Sequence, residues 1–147
     1  MKPINEMRLR IESRSVNEAF ARAAVAAFVS QLDPTLEEIS DIKTAVSEAV
    51  TNCIVHAYAD SVGQIYIWAG LYGDGGVRIK IRDTGCGIED VKKAMEPLYT
   101  TLGEERAGLG FAVMESFCDR LGVRSAPGKG TTVTLTKYIK GRNGGDD

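Results

Sequence analysis

The chain has 147 residues, and its 18 Lys and Arg against 20 Asp and Glu give a formal net charge of −2 with the single histidine neutral. This length fits one domain, and an apolar fraction of 44% supplies enough material for a hydrophobic core. The composition excludes collagen-like, disordered and disulfide-rich chains, and the near-neutral charge argues against binding to a nucleic-acid backbone. Because no apolar run reaches the roughly 18 residues that a membrane span needs, we expect a cytoplasmic protein.

The first half of the sequence predicts one strand followed by two helices. Apolar and charged residues alternate over residues 6–12, which is typical of an amphipathic strand. Ser15 is then expected to cap a first helix. Its core-facing residues are predicted to be Val16, Phe20, Ala23, Ala24 and Ala27. Thr35 and Glu38 predict a capping box for a second helix that runs to about Tyr58.

The second predicted helix carries a polar stripe. Glu48, Asn52 and His56 follow each other at intervals of four residues, so they lie on one side of the helix, beside its apolar face. A solvated helix surface and a binding site both fit this stripe. His56 taken alone fits a packing or capping role near the end of a helix.

The second half of the sequence predicts mainly strands and glycine turns. In chain order we expect strands over 64–72 and 77–83, a short helical segment over 89–95, a loop through Arg106, a helix that begins near Gly108, and a last strand over 131–138. The late helix is predicted to bury Val113, Met114, Phe117 and Leu121. The fold class is therefore α+β, with a mixed, mainly antiparallel sheet and helices on one face. We expect residues 1–140 to form one domain and 141–147 a flexible tail.

An acidic residue breaks the alternating pattern of the strand predicted over 77–83. By period-two counting Asp83 shares a face with Val77, Ile79 and Ile81, which are apolar and point to the core. An ionised carboxylate there needs hydrogen-bond donors close by. Alternatively, Asp83 lies just past the strand and caps the following turn. The sequence leaves both interpretations open.

Three glycine-rich segments follow this acid. Gly85 and Gly87 alternate after the strand, where they allow positive φ angles and close approach to the backbone. Gly108 and Gly110 stand where a helix is expected to begin, which fits an anion site or a hinge. The segment GKGTT, which ends at Thr132, fits a tight turn or the wall of a pocket.

Four segments, in this order, resemble the signature of the GHKL ATPase superfamily: SEAVTNCIVHAY, DTGCGI, GLGF and GKGTT. Within that superfamily the segments NEAFARAAVAAFVSQLDPT and PLYTT are similar to the bacterial anti-sigma kinases of sporulation. The resemblance covers most of the chain. It implies a two-layer α/β sandwich of the Bergerat type that binds ATP or ADP.

The resemblance also implies an Mg²⁺-ATP site and assigns roles to the polar residues. Asn52 is expected to ligate Mg²⁺, for which an amide oxygen is a suitable hard ligand. Glu48 is expected to act as the general base that accepts the proton of the attacking hydroxyl. Asp83 is expected to accept a hydrogen bond from the adenine amino group.

Further roles are implied for residues of the second half. Arg106 is expected to reach the γ-phosphate, which makes it the second catalytic residue, and Thr132 to help hold the purine through a water. Gly108 and Gly110 are expected to begin the helix that faces the phosphates. The remaining implied nucleotide-binding residues are His56, Gly85, Gly87 and, in the lid, Thr100 and Thr101.

The implied activity is that of a protein-serine kinase and anti-sigma factor. Such a protein binds and inhibits sigma factor F, and phosphorylates a serine of its anti-anti-sigma antagonist. Arg22 matches a residue that grips protein partners, and a homodimer is implied. No direct contact with nucleic acid or membrane is expected.

Two alternatives stay open at this point. One is an anti-sigma kinase for a stress sigma factor, and the other is a nucleotide-gated binding module without kinase activity. A histidine kinase that phosphorylates itself within this chain is excluded, because the single histidine already lies in the helix of the expected ATP site.

Overall fold

The computed structural model describes residues 1–95 and 104–142, and for residues 104–109 it describes the backbone alone. Its helical elements are α1 (Val16–Val29), a 3₁₀ turn (Ser30–Leu32), α2 (Leu36–Asn52), a π-helical turn (Cys53–Ala57), α3 (Val91–Ala94) and α4 (Glu104–Phe117). Its strands are β1 (Asn5–Glu12), β2 (Gln64–Leu71), β3 (Gly76–Asp83), β4 (Arg120–Ala126) and β5 (Gly130–Tyr138). Among the described residues no helix is both long enough and apolar enough to cross a bilayer.

The described strands form one five-stranded sheet in the order β1-β2-β3-β5-β4, and all neighbouring pairs are antiparallel. The central pair, β3 and β5, sets Ile81 opposite Val133 and Asp83 opposite Thr131. Since residues opposite each other share a face, Asp83 and Thr131 lie on the same side of the sheet. This arrangement confirms the predicted α+β class.

The helices cover one face of the sheet, and among the described residues they enclose one apolar cluster with it. Alternate residues of β2 and β3 are buried beneath them, as period-two counting predicts. The most deeply buried large side chains include Ile42, Val46, Val50, Ile65, Ile67, Leu71, Ile81, Met114 and Leu135. The apolar face expected beside the polar stripe of α2 is therefore confirmed, and this helix lies between α1 and α4.

The predicted orientation of α1 is wrong. Val16 is 77% exposed and Phe20 is 53% exposed, whereas Val25 and Val29 are fully buried. The helix has a second stripe of small and branched residues at i, i+4 and i+8, which begins at Ala21, and this stripe faces the core. The larger side chains of the predicted stripe are left on the outside.

Three further expectations are corrected near the ends of elements. Ser15 has helical backbone angles and makes no side-chain cap, so its hydroxyl does not bind the first turn of α1. Helix α4 begins at Glu104, ahead of Gly108. Strand β4 was not predicted, and Leu121 belongs to this strand instead of the helix before it.

The predicted capping box is confirmed, and it also holds the end of the chain. The Glu38 carboxylate accepts from the backbone N–H of Thr35 at 2.9 Å, and the Thr35 hydroxyl accepts from Glu38 N–H at 3.1 Å. The same carboxylate accepts from the N–H of Lys140 at 2.7 Å and of Gly141 at 3.1 Å. Residues after β5 are thereby tied to the first turn of α2.

Candidate functional site

A cavity of about 350 Å³ opens between the end of α2, the end of β3, the start of β5 and helix α4. Its walls are mainly apolar, with a few convergent polar groups, which is the usual composition of a small-molecule site. The polar or thiol side chains that line it are those of Asn52, Cys53, His56, Asp83, Cys86 and Thr131. The sequence predicted Asn52, His56, Asp83 and Gly87 for one site, and the structure brings them together here.

Asp83 is the buried charge at the floor of this cavity, with only 4% of its surface exposed. Its Oδ1 accepts from Gly85 N–H at 3.0 Å and from Thr131 N–H at 3.2 Å, and its Oδ2 accepts from the Cys53 thiol at 3.5 Å. Burial raises the pKa of this carboxyl, and the donors from Gly85, Cys53 and Thr131 act against that rise. Asp83 is thus the last residue of β3 and shares its core face, so its predicted alternative position just past the strand is wrong. The same carboxylate nevertheless caps the following turn, as that alternative predicted.

The end of α2 supplies one wall of the cavity through an irregular turn. Cys53–Ala57 adopt π-helical geometry, and Tyr58 N–H donates to Cys53 C=O at 3.1 Å. A π turn inserts one residue into the helical rotation, so side chains past it point in new directions. Cys53 at the start of this turn and His56 within it both line the cavity.

The loop after Asp83 is fixed on both sides by hydrogen bonds. On one side the Tyr58 hydroxyl accepts from Thr84 N–H at 2.7 Å. On the other side the Ser125 hydroxyl accepts from Ile88 N–H at 2.8 Å, and Gly128 N–H donates to Cys86 C=O at 2.7 Å. The cavity wall formed by this loop is therefore built into the fold.

The glycines of this loop allow close contact between protein segments. Gly87 has φ +75°, and a Cβ there would lie 2.0 Å from the carbonyl oxygen of Ala126. A Cβ on Gly85 would lie 2.4 Å from the carbonyl oxygen of Ala57. Glycine is required because the loop packs directly on neighbouring backbone, a reason that the sequence pattern did not reveal.

Glu48 and Asn52 meet helix α4 at Gly110. An added Cβ on Gly110 would lie 3.2 Å from Asn52 Oδ1 and 3.4 Å from Glu48 Oε2. The Asn52 Nδ2 atom is buried and has no hydrogen-bond partner among the described atoms. An orphaned buried amide is costly, so it marks a place where a bound group would satisfy it.

Glu48 also borders a second depression, of about 440 Å³, between α1 and α2. Arg22 and Lys43 contribute positive charge to its walls. Ser47, which also lines it, donates a hydrogen bond to Glu18. Arg22 is partly exposed and lies 3.7 Å from Glu18. We call this depression the α1–α2 groove. Glu48 therefore stands beside Asn52 and also opens onto a surface groove.

Residues 11–137 match the family model described as "Histidine kinase-like ATPase domain". The chain belongs to the histidine kinase-like ATPase family. The predicted resemblance to this superfamily is thereby confirmed.

Curated relatives within this ATPase family are similar over almost their full length. A protein of Caldanaerobacter subterraneus named "Anti-sigma F factor" is 62% identical over 140 residues, which is 95% of this chain and 96% of the relative. A protein of the same name from Thermoanaerobacter pseudethanolicus is 59% identical, over 95% and 97% of the two chains.

Solved structures agree on the fold. The RsbU and RsbW domains of a Mycobacterium tuberculosis protein match with a TM-score of 0.68 and 25% identity, over 93% of this chain and 33% of that one. A blue-light activated histidine kinase of Erythrobacter litoralis matches with a TM-score of 0.56 over 84% of this chain and 61% of that one. Its identity is 20%, so this likeness concerns the fold alone.

The structure corrects one predicted member of the ATPase-family site. Thr132 pairs with Arg82 on the opposite face of the sheet, where it borders Tyr66. The strand residue that faces the cavity is Thr131, which is 9% exposed. The reason is the period of two along β5, which places neighbouring threonines on opposite faces.

The phosphate side of the site is described only in part. Gly108 and Gly110 lie inside α4, so they do not begin that helix as predicted, because residues 104–107 are already helical. Thr100 and Thr101 lie outside the described residues, and for Arg106 only the backbone is described. The predicted roles of these three side chains stay predictions.

The described residues fit a nucleotide with Mg²⁺. No group of three or more His, Cys, Asp or Glu that could hold a metal occurs in 1–95 and 110–142. Mg²⁺, however, is usually held by one or two protein oxygens together with substrate phosphates and waters. The amide of Asn52 beside the carboxylate of Glu48 offers such oxygens next to the cavity.

Proposed function

We propose that this chain is an ATP-dependent protein-serine kinase that also inhibits a sigma factor. The observation that carries the proposal is the joint placement of three groups: a buried carboxylate and an unsatisfied amide that both line the cavity, and a second carboxylate beside that amide. Phosphoryl transfer requires mostly positioning and neutralisation of charge, and these groups suit both tasks.

The cavity is proposed to hold the adenine of ATP or ADP. Asp83 offers a fixed acceptor oxygen to a donor such as the adenine amino group, and the apolar walls exclude water from the base. Gly87 and Ile88 line the same cavity and are proposed to contact the base. His56 is proposed to contribute to the opposite wall.

Asn52 is proposed to hold Mg²⁺ through its side-chain oxygen. When bound, the metal neutralises charge on the phosphates of the nucleotide. Glu48 is proposed to accept the proton of the attacking serine hydroxyl, because it lies beside Asn52 and also borders the α1–α2 groove. A protein substrate seated in that groove would present its hydroxyl to Glu48 from outside.

The partners are proposed from the names of the relatives. Relatives that are 59–62% identical over nearly the whole chain are named "Anti-sigma F factor", so we propose sigma factor F as the inhibited partner and its anti-anti-sigma antagonist as the phosphorylated one. Arg22, in the wall of the groove, is proposed to contact these proteins. The exposed apolar side chains of α1 favour protein contacts, including a homodimer.

The kinase proposal is tested by mixing the purified chain with Mg²⁺-ATP and a candidate antagonist protein, then locating phosphoserine by mass spectrometry. Glu48→Gln is expected to slow the transfer by about 100-fold or more, as removal of a general base does, with nucleotide binding retained. Glu37→Gln, on the exposed side of the same helix, is the matched control and should leave the rate unchanged. Sigma capture without phosphate transfer by the unaltered chain would instead support a nucleotide-gated binding module.

A further inference from the structure

The sheet face that is turned away from the helices is strongly basic. The register of the strands and the alternation of their side chains place seven basic and two acidic residues there, among the described residues. We call the surface formed by the basic ones the basic face; they are Arg8, Arg10, Arg78, Lys80, Arg82, Arg120 and Arg124. Since the whole chain has a formal net charge of −2, positive charge is concentrated on this side of the molecule.

The two acidic residues lie at the border of the basic face, on the edge strand β1. The Glu6 carboxylate is 3.4 Å from Arg8 and accepts a hydrogen bond from Trp68 Nε1–H at 2.8 Å. Glu12 is 3.2 Å from Arg14. In the part of the chain that the structure describes, no ion pair includes a cation of β3. The charges at the middle of the face are therefore available to a partner.

Each of the three cations of β3 lies over an aromatic ring. The guanidinium carbon of Arg82 is 4.1 Å from the centre of the Tyr66 ring, and Lys80 Nζ is 5.4 Å from that of Trp68. The third cation of this strand is 5.6 Å from the centre of the Tyr72 ring. The rings attract and position the cations, and a stacked guanidinium keeps its N–H edge free to bind a carboxylate.

The spacing of these cations fits an extended polypeptide. Alternate residues of a strand are about 7 Å apart, and so are alternate side chains of an extended segment that lies beside it. A depression of about 450 Å³ crosses the basic face between β1 and β3, and Thr132 lines it beside the cations. A segment with carboxylates at alternate positions can therefore pair each of them with one cation of β3.

Two other occupants fit the basic face less well. Single-stranded nucleic acid binds to sheets by stacking its bases on aromatic rings, but the cations of the protein itself already cover these rings. A second copy of the chain that presents the same face would bring like charges together. Charge complementarity thus favours an acidic polypeptide.

We propose that the basic face is a docking surface for an extended acidic segment of a partner protein. Carboxylates at alternate positions of that segment pair with the cations of β3, and the surrounding arginines extend the positive surface on both sides. This inference goes beyond the proposed function and requires no nucleotide, because Asp83 and Thr131, which line the nucleotide cavity, lie on the opposite face of the sheet.

The test measures the binding of a labelled peptide of alternating glutamate and serine to the full chain by fluorescence anisotropy. A variant that combines Arg10→Gln, Arg78→Gln and Lys80→Gln should bind the peptide at least about tenfold more weakly, because three exposed ion pairs are lost. Arg82 is left unchanged, since its charge acts on the neighbouring Asp83. The affinity of the original chain should also fall as the ionic strength is raised, because exposed charges are screened by salt.

The matched control removes the same number of positive charges on the helix side of the molecule. It combines Lys92→Gln, Lys140→Gln and Arg142→Gln, and it should bind the peptide as the original chain does. Equal losses in the two triple variants, or equal binding of a peptide of alternating glutamine and serine, would overturn the inference. Tighter binding of oligothymidylate than of the acidic peptide would overturn it in favour of a nucleic-acid site. Failure of the original chain to bind ATP would refute the proposed function, which is a different result.

A second measurement locates the bound peptide without removing charge from the protein. Lys80 is the one lysine of the basic face, and a water-soluble carbodiimide joins a carboxylate to a lysine amine where the two are in contact. We expect mass spectrometry to find the peptide attached to Lys80. Lys80→Arg should lose this cross-link and keep the affinity within about threefold, because the positive charge remains. Cross-links found mainly on Lys92 and Lys140 would overturn the inference.

Discussion

At the scale of single residues, Asp83 shows how a binding group lowers the stability of its own fold. Burial raises the pKa of its carboxyl despite donors from Gly85, Cys53 and Thr131. The folded state therefore binds this proton more tightly than the unfolded state does. The contribution of Asp83 to stability is greatest at low pH and is lost as the pH rises through the usual carboxyl range towards the raised pKa.

Asp83→Asn is consequently expected to separate stability from binding. At pH 7 the free energy of unfolding should stay within about 1 kcal/mol of the original or increase, because an ionised buried group is removed while one acceptor oxygen remains. Nucleotide affinity should fall roughly 10- to 100-fold, since a charged acceptor is lost. Urea titrations at pH 7 and at pH 3.5, with calorimetry, measure both. The difference in unfolding free energy, variant minus original, should be larger at pH 7 than at pH 3.5. A smaller difference at pH 7 would contradict the inference that ionised Asp83 destabilises the fold.

Gly110 is a second residue whose substitution is expected to affect the phosphotransfer rate without lowering thermal stability. Alanine raises helix propensity by about 1 kcal/mol over glycine, but a Cβ here meets Asn52 and Glu48 at 3.2–3.4 Å. We expect Gly110→Ala to lower the phosphotransfer rate at least about tenfold by displacing these groups, without loss of thermal stability. The control is Gly73→Ala, where the added Cβ meets no atom within 4 Å. Equal phosphotransfer rates for the two variants would refute the proposed positioning role.

At the scale of elements, Glu38 joins α2 to the segment after β5. Burial acts to raise the pKa of Glu38, but hydrogen bonds from the backbone of Thr35, Lys140 and Gly141 and from the Thr35 side chain together lower it. A lowered folded pKa means that the carboxylate contributes stability above the ordinary glutamate pKa. That contribution is lost as the pH falls through the folded pKa.

Glu38→Gln is expected to cost about 1 kcal/mol of stability at pH 7, the usual size of a capping interaction. The difference from the original chain should narrow as the pH is lowered below the ordinary glutamate pKa and through the lowered pKa of the folded state, because the carboxyl of the original then takes up its proton. Chemical unfolding at several pH values provides the measurement, with Glu37→Gln as the exposed neighbour for comparison. A cost that does not vary with pH would show that the charge is not responsible.

Helices and strands were predicted best where the residues that define them interact within a single turn. The box of Thr35 and Glu38 fixed the start of α2, because both partners lie within one turn. Strand β4 was missed since it lies at the edge of the sheet, and Gly122 interrupts its short alternation. The inner face of α1 was misassigned because small residues such as Ala21 were outweighed by Phe20, although close packing against α2 favours small side chains there.

The residues of the candidate nucleotide site were likewise predictable from the sequence only in part. Asp83 was identifiable because an acid on an apolar face conflicts with its surroundings. Thr131 was also predictable, because period-two counting from Val133 and Leu135 places it on the core face of β5. The contact of Cys53 with Asp83 was not, since it depends on how the π turn after α2 packs against the end of β3, which a local pattern does not encode.

At the scale of the whole molecule, the outer stripe of α1 is available for assembly. Phe20→Ala should leave the free energy of unfolding within about 0.5 kcal/mol, because this side chain is half exposed. Val25→Ala, five residues further along and on the buried face, should cost about 2 kcal/mol and serves as the contrast. We expect Phe20→Ala to weaken self-association or sigma capture, measured by sedimentation and pull-down. Unaltered values in both assays would remove α1 from the proposed interface.

The link between Glu38 and the segment after β5 has a consequence for the engineering of this protein. Arg142 N–H also donates to the carbonyl of Asp33 at 3.0 Å, so three successive residues, 140–142, are anchored to the region between α1 and α2. A fusion in which the chain is cut after Tyr138 and a tag is joined there would remove these anchoring residues. The first turn of α2 would then lose its link to the segment after the last strand. A linker that begins after Arg142 would preserve them, which makes that residue the better junction for labelled or tethered versions.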